Sequence, residues 1–429
     1  MAKVRNIFLA LVTLLGFCSC TRDGMDISFS VGPYRDAPED SRKVMLLYEA
    51  GFNSLGGYMG TNIDDLQEGY LPGKGRNDDV LLVLSHLTKQ SRNYTAETSP
   101  AMIRLYSDRG KCRMDTLKVW PVGTSLANAA MVTEVFDWVK ENFPAASYGA
   151  IMSSHATGWL PEDYYNNPKK YEGDDRGSTY YWSRPQNRTF GQEYYSQGTK
   201  TEEIELKDLA AAIPYHLDYI LFDACLMSTV EVAWELRNVC SYLAVSPCEI
   251  PAAGFNYKTL AGHLLKSTVP DLKAVCMDYF AAYENDSIYG ATITMVDSNA
   301  LEPLAGTCRT LFGRYRSGIR NLDGKNVQVY DRKMGSKYYY AFFDLKDMLR
   351  EAGATAEDLA LLQGALDQAL VYEAHTARFI DVKLDRCCGL ATYLPAYPDY
   401  RKDSWHGTRF LDGFYKSNVS WNDATGLVE

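Results

Sequence analysis

Short apolar runs alternate with amphipathic segments between residues 44 and 245, and no other feature of the chain constrains its fold as strongly. The runs have the length and composition of buried strands: 44–48, 80–84, 148–154, 219–222 and 241–245. Apolar residues at helical spacing mark the segments between them: 60–68, 125–144, 203–213 and 226–238. Strands that alternate with helices favour a mostly parallel sheet with helices on both faces. We therefore predict an α/β fold, a mostly parallel sheet flanked by helices, followed by a C-terminal helical or mixed subdomain.

The N-terminus reads as an export signal. Lys3 and Arg5 precede an apolar stretch at residues 7–17, which is too short to span a bilayer and is typical of a signal peptide. We predict five segments along the chain: a signal peptide at 1–20, a polar tether at 21–42, an α/β domain at 43–300, a long loop at 160–200 within that domain, and a C-terminal subdomain at 301–429.

The signal peptide ends in a pattern that resembles the lipobox of bacterial lipoproteins. Cys20 follows the small residue Ser19, whereas Cys18 follows the bulky Phe17. Lipid chains on a cysteine anchor a protein to a membrane without a spanning segment. We predict lipidation of Cys20 and attachment to the bacterial cell envelope, in the periplasm or at the cell surface. An ordinary signal peptide cleaved nearby is the alternative.

Several strands and helices are expected outside this central pattern. Residues 101–108 alternate moderately and predict a further strand at an edge of the sheet. In the C-terminal part, 343–352 and 356–372 have helical spacing. The run 389–394 predicts a late strand that returns to the main sheet.

Charge and cysteine content exclude several functions. Asp and Glu total 54 against 44 Lys and Arg, which gives a net charge of −10, so we predict that the chain does not bind nucleic acid and favours cationic substrates. Of 10 cysteines, the eight outside the signal peptide form no C-x-x-C pair. A zinc site and a dense disulfide framework are therefore not predicted, and any pairing of these cysteines stays open.

Two predicted strands end in residues that carry chemistry. His155 follows the run 148–154, and Cys225 follows the run 219–222. In open α/β sheets, ligands bind beyond the carboxyl ends of the strands, so neighbouring strands would bring the thiol and the imidazole to one crevice. These two groups are the minimum for nucleophilic catalysis. The alternative is that each is a packed structural residue.

The surroundings of the thiol suggest how it would react. An imidazolium partner, and a helix predicted to begin directly after Cys225, would both favour the thiolate. Backbone N–H groups of Ala156 and Cys225 would hold the oxyanion. Asp223 lies two residues before Cys225, and residues two apart along a strand point to the same face. Its carboxylate would therefore pair with a basic side chain of a substrate. The alternative is that Asp223 is a turn or helix-capping residue. No metal site is predicted: the remaining histidines lack ligand spacing, and the acidic pairs at 64–65, 78–79 and 174–175 are interpreted as solvated charge, with a hard cation there as the alternative.

Residues 222–227 (FDACLM), followed by 230–236 (VEVAWEL), resemble the nucleophile segment of the clostripain family of cysteine peptidases. The segment 153–159 is similar to the family's histidine motif, although Ala156 stands where the family usually has Gly. Further similarity lies at 44–55, 246–257 and 389–395, so the resemblance extends from about residue 43 to 395. It implies a caspase-like α/β fold and a Cys–His dyad.

Carried over by position, the resemblance implies that Cys225 is the nucleophile and His155 the general base and acid. It also implies that Asp223 is the acid of the S1 pocket, so that the enzyme cleaves protein or peptide substrates after Arg or Lys. Relatives are often activated by cleavage between the two motifs, here in the 160–200 loop. That loop carries basic residues at Lys169, Lys170, Arg176, Arg188 and Lys200.

Other hypotheses remain from the sequence. Some relatives need Ca²⁺ and others do not, and because no motif here decides it, we predict no cofactor and leave Ca²⁺ open. A non-catalytic lipoprotein that binds partners through its Tyr-rich 160–200 loop is the principal alternative to a peptidase. An acyl transferase or ligase using the same dyad is a third.

Overall fold

The computed structural model describes residues 41–87, 98–161, 190–195, 200–322, 324–332, 340–395 and 411–429. The predicted signal peptide, Cys20 and the tether up to residue 40 lie outside the described residues, as does most of the 160–200 loop. Of the basic residues named in that loop, Lys200 begins a strand and the other four also lie outside.

Nine strands of the described residues form one sheet in the order β12-β10-β9-β8-β5-β1-β2-β3-β4. Its strands are β1 (Lys43–Gly51), β2 (Val80–Leu87), β3 (Ala101–Asp108), β4 (Lys111–Val119), β5 (Ser147–Ser153), β8 (Leu217–Asp223), β9 (Cys240–Val245), β10 (Thr292–Asp297) and β12 (Leu370–His375). The central strands β9, β8, β5, β1 and β2 are parallel to one another, and the outer pairs are antiparallel. The predicted mostly parallel α/β sheet is confirmed.

Short two-stranded pairings complete the β-structure of this part of the chain. They are formed by β6 (Phe190–Tyr195) with β7 (Lys200–Ile204), β11 (Phe343–Asp344) with β15 (Ala391–Thr392), and β13 (Arg378–Phe379) with β14 (Val382–Lys383).

Helices cover both faces of the main sheet. On one face lie α1 (Gly56–Glu68), α5 (Tyr257–Leu265) and α6 (Leu272–Tyr283). The other face carries α2 (Ala129–Asn142), α3 (Leu206–Ala212), α4 (Val230–Leu236), α7 (Leu301–Arg314), α9 (Leu345–Glu351) and α10 (Ala356–Ala369), with α8 (Arg316–Asn321), α11 (Asp412–Asn418) and α12 (Ser420–Thr425) packed nearby. Because the central strands are buried on both faces, they read as continuous apolar runs, and every residue of β1 is buried.

The segment after Cys225 differs from the expectation. The predicted helix 226–238 begins only at Val230, where the Thr229 side chain accepts a hydrogen bond from the Val232 amide. Before it, Leu226 has a φ of 62°, a left-handed conformation that no helix continues through. The prediction of a helix N-terminus directly at Cys225 is therefore wrong.

The edges of the sheet also differ from the expectation. Residues 101–108 are not at the edge, because β4 pairs outside them. The late strand at 391–392 pairs with residues 343–344 instead of joining the main sheet. The C-terminal part contributes Leu370–His375 to that sheet, although the sequence assigned 370–372 to the end of a helix. Pairing with β10 overrides the helical spacing there.

Two helices begin a few residues later than the sequence predicts. The helix predicted from 125 is capped by Asn128, whose side chain accepts from the Met131 amide. The helix predicted at 203–213 begins at Leu206, after β7. Among the described helices, none combines the length and the apolar character needed to cross a membrane.

Candidate active site

Two adjacent parallel strands bring His155 and Cys225 together. In the register of β5 with β8, Ser153 lies opposite Asp223. His155 and Cys225 each follow two residues later, at the carboxyl edge of the sheet, and both line one pocket together with Asp223. The geometry predicted from the strand ends, with these three residues at a shared crevice, is the geometry observed.

His155 is buried and held from two sides. Its Nε2 lies 2.9 Å from the Ser54 hydroxyl, and its backbone carbonyl accepts a hydrogen bond of 3.0 Å from the Gly191 amide. Burial lowers the pKa of His155 to about 4, because the charged imidazolium loses solvation. The imidazole is therefore neutral at pH 7 and able to accept a proton.

Cys225 is held as a thiol. Its Sγ accepts a hydrogen bond of 3.4 Å from the Ile250 amide. Burial, with smaller contributions from the Glu249 and Asp223 carboxylates, raises the pKa of Cys225 to about 12, and the Ile250 amide partly opposes this. Both shifts favour the neutral thiol and the neutral imidazole over the thiolate–imidazolium pair that the sequence suggested, so deprotonation of Cys225 would accompany substrate attack.

Asp223 forms the acidic part of the pocket. The Tyr257 hydroxyl donates a hydrogen bond of 2.7 Å to Oδ2 of Asp223. Burial raises the pKa of Asp223 to about 6, while hydrogen bonds from Tyr257 and Ser153 act in the opposite direction. The carboxylate lies directly against the loop before α5: a Cβ on Gly254, which has a φ of +67°, would lie 2.6 Å from Oδ2. Glycine is thus required at 254 for close approach.

The alanine at 156 fits the turn after His155. Ala156 is fully buried and forms a bridge with Phe190, and its φ is not positive. The left-handed position in this turn is Gly158, with a φ of +59°, where a Cβ would lie 2.5 Å from the Leu226 carbonyl. Alanine in place of the family's usual glycine therefore causes no backbone strain. Ala156 and Cys225 both line the pocket, and their role as oxyanion donors stays a prediction.

Three residues at the site were not singled out from the sequence. Ser54, in the turn after β1, contacts His155, and Glu249 and Arg332 line the pocket. Arg332 bonds the Glu249 carboxylate at 3.4 Å and the Asp381 carboxylate at 2.9 Å. Ser54 could have been found in the same way as His155 and Cys225, from the rule that ligands bind beyond the carboxyl ends of parallel strands, because β1 ends at the same edge of the sheet.

The other histidines of the described residues have structural partners. His86 is buried, its Nδ1 lies 2.7 Å from the Glu193 carboxylate, and its ring stacks on Phe52. His263 and His375 pair with the carboxylates of Asp278 and Glu373. Within the described ranges, no three His, Cys, Asp or Glu side chains are grouped so as to hold a metal ion. The eight cysteines there, Cys225 included, are free thiols.

Comparison with known proteins gives a consistent family and fold. The model of the clostripain family matches residues 47–424. An inactive zymogen C11 protease from Parabacteroides distasonis is 25% identical, with a TM-score of 0.71, covering 91% of this chain and 99% of that one. A secreted C11 cysteine protease from Bacteroides thetaiotaomicron, solved with an irreversible peptide inhibitor, is 23% identical, with a TM-score of 0.69 and coverages of 90% and 99%. No curated protein matches the chain.

Proposed function

Since the chain belongs to the clostripain family of cysteine peptidases, we propose that it is an endopeptidase that cleaves after Arg or Lys through a dyad of Cys225 and His155. Membership of this family also favours a peptidase over the non-catalytic surface-binding lipoprotein considered from the sequence. The observation that carries the proposal is the shared pocket, in which a thiol, a neutral imidazole and a buried carboxyl meet at the carboxyl edge of two adjacent strands.

The dyad would act through proton transfer during attack. With Nε2 of His155 bonded to Ser54, Nδ1 is the nitrogen left to take the thiol proton. As the proton moves, Sγ of Cys225 attacks the scissile carbonyl, and backbone N–H groups of Ala156 and Cys225 bind the oxyanion. The imidazolium then protonates the leaving amine, which departs and leaves the acyl-enzyme. Neutral His155 next takes a proton from water as its oxygen attacks the thioester; the C–S bond then breaks, the acid product leaves, and the imidazolium returns the proton to Sγ of Cys225.

Asp223 would select the basic side chain. A substrate cation that enters the pocket restores the charged form of this carboxyl, whose pKa burial raises to about 6. Removing one partner of a buried, hydrogen-bonded ion pair costs about 2–5 kcal/mol in measured interfaces, because the other charge is left unpaired. We therefore expect Asp223 to discriminate strongly against substrates with neutral residues at the cleaved position.

The test compares three variants with an arginine-ended reporter peptide and a neutral counterpart. Cys225→Ala should abolish hydrolysis, because the nucleophile is lost, and Asp223→Asn should lower kcat/KM for the arginine peptide far more than for the neutral one. Cys112→Ala, a partly exposed thiol on β4, is the matched control and should keep full activity. Equal hydrolysis by Cys225→Ala and the unaltered enzyme would refute the dyad. Joined rather than hydrolysed products would indicate a ligase.

We also propose export and anchoring through the N-terminus. The support is the signal-like segment before Cys20 and the secreted nature of one structural neighbour. Cys20→Ala should abolish incorporation of labelled fatty acid and move the protein from the membrane fraction to the soluble fraction. Cys18→Ala is the matched control. We propose no resident cofactor, so a Ca²⁺ chelator should leave the hydrolysis rate unchanged.

A further inference from the structure

A row of polar side chains crosses the sheet beneath the candidate active site. Glu49 of β1 lies in register with Ser85 of β2 on one side and Ser153 of β5 on the other. Ser153 in turn lies opposite Asp223 of β8. Residues that are opposite one another in parallel strands point to the same face, so these four side chains share the face covered by α1 and α5.

Glu49 is the exceptional member of this row. Its side chain is fully buried, and neither carboxyl oxygen has a hydrogen-bond partner among the described residues. Buried polar groups in native proteins are almost always hydrogen-bonded, and each exception calls for an explanation, of which a role in the site is one. The rest of β1 is apolar from Val44 to Tyr48, so a glutamate there has no role in packing that an apolar residue would not fill better.

The groups around Glu49 make its face acidic. Asp223 follows two strands away, at a backbone distance of roughly 10 Å given the usual strand spacing, and both carboxyls are on the same face. From the covering helices, Asn62 of α1 lines the pocket, and the hydroxyl of Tyr257 of α5 bonds Asp223. Tyr279 of α6 lies in the same layer. Within the described part of the chain, neither Glu49 nor Asp223 has a cationic partner within 4.0 Å.

The charge state of Glu49 depends on this environment. Burial, together with the Asp223 carboxylate, raises the pKa of Glu49 well above its ordinary value, and the nearby Ser85 hydroxyl, which lies outside hydrogen-bonding geometry, opposes this only in part. The pKa of Tyr257 is likewise raised, by burial and then by Asp223 and Glu49. A cation that entered the pocket would reverse the balance, because opposite charge favours ionised carboxyls.

We propose that Glu49, beneath the residues that line the pocket, acts as a second acid for basic side chains, protonated while the pocket is empty and ionised when a substrate guanidinium enters over Asp223. The proton leaves to solvent as the cation binds, so two carboxylates face one guanidinium. This deepens the proposed function and rests on it. Arginine offers five donors in a planar fork, whereas lysine offers a point charge. Glu49 therefore favours Arg over Lys at the cleaved position.

The test measures binding in a catalytically silent background. Acetyl-arginine amide and acetyl-lysine amide are titrated calorimetrically into Cys225→Ala at pH 8, in two buffers with different ionisation enthalpies, which reports protons released on binding. At pH 8 Asp223 is already ionised and His155 already neutral. We expect net proton release with the arginine ligand, loss of that release in Cys225→Ala/Glu49→Gln, and roughly tenfold weaker arginine binding with a smaller effect on lysine.

The control is Glu68→Gln in the same background, an exposed carboxylate at the end of α1 that pairs with Lys258. It changes the net charge equally and should leave proton release and the Arg/Lys ratio unaltered. Binding without proton release, or an unchanged Arg/Lys ratio in Glu49→Gln, would overturn the role of Glu49 while leaving the proposed function intact. No binding of either basic ligand would instead overturn the proposed specificity. If Glu49→Gln fails to fold, the number of protons that Cys225→Ala releases on binding the arginine ligand tests the role of Glu49 by itself: no release would overturn it.

Discussion

At the scale of single residues, the thiol of Cys225 is controlled by the carboxylates near it. Glu249 is the largest electrostatic cause, after burial, of the raised pKa of Cys225. Glu249→Gln removes that charge, so the pKa of Cys225 should fall. We expect alkylation of Cys225 by iodoacetamide at pH 8 to become roughly threefold faster, as for a shift of about half a pKa unit. Mass spectrometry of the Cys225 peptide measures it.

Asp381→Asn is the matched control for that experiment. It removes the other carboxylate bound to Arg332, which is not among the groups that shift the pKa of Cys225. Its alkylation rate should stay close to that of the unaltered enzyme. A rate in Glu249→Gln no higher than in Asp381→Asn would contradict the electrostatic control by Glu249.

The buried, ionised carboxylate of Asp223 should lower the stability of the folded protein at neutral pH. Its pKa is raised from 3.8 to about 6 in the folded state, so the folded protein binds more protons between these values. The stability that the protonated carboxyl contributes is fully present below pH 3.8 and is lost as the pH rises through 6. Asp223→Asn should therefore raise the free energy of unfolding at pH 7 by about 1–3 kcal/mol more than at pH 4. Urea denaturation at both pH values measures this difference; equal effects at the two would rule it out.

At the scale of elements, the loop between β9 and α5 positions Asp223. Gly254→Ala adds a methyl group against the carboxylate and forces alanine into left-handed backbone. We expect a loss of about 1 kcal/mol in stability from the backbone and a further rise in KM for arginine substrates from displacement of Asp223. Gly426→Ala separates the two effects, since Gly426 has a φ of +64° with nothing within 4 Å. It should lose stability only, and an equal rise in KM in both variants would contradict the contact with Asp223.

The elements also show what sequence patterns can and cannot predict. The parallel strands were predictable because strands buried on both faces are short apolar runs, and the positions of His155 and Cys225 followed from their ends. Strand β4 was missed because it is mostly half-exposed and carries charged residues. Strand β12 was missed because Leu370–His375 continues the apolar spacing of α10, and only its pairing with β10 makes it a strand. Such pairings are tertiary and leave no local signal.

The same limit applies within the site. Asp223 was predictable from its place beside Cys225, whereas Glu49 is a single acid inside an apolar run. Its importance depends on which strands flank β1, and strand order is not encoded locally. Leu226 also could not be foreseen as left-handed, because a leucine at a φ of 62° goes against the ordinary preference of its residue type.

At the scale of the whole molecule, the C-terminal helices brace the element that follows the nucleophile. Trp421 of α12 packs edge-on against Trp234 of α4, with ring centroids 5.6 Å apart. Glu231 of α4 is buried and accepts hydrogen bonds from the Tyr415 hydroxyl at 2.6 Å and the Tyr393 amide at 3.0 Å. A boundary near residue 300 stays a prediction, but these contacts tie the last helices to the first part of the chain.

We therefore expect the described parts to unfold as one cooperative unit. Trp421→Ala leaves a large cavity beside Trp234 and should lower the free energy of unfolding by about 3–5 kcal/mol. Because α12 and the active site would belong to the same unit, urea curves from far-ultraviolet circular dichroism and from alkylation of Cys225 should shift together in the variant. Leu361→Ala, at an exposed position on α10, is the control and should shift neither curve. A variant in which Cys225 becomes reactive at urea concentrations well before the sheet unfolds would show instead that the C-terminal helices separate from the catalytic part.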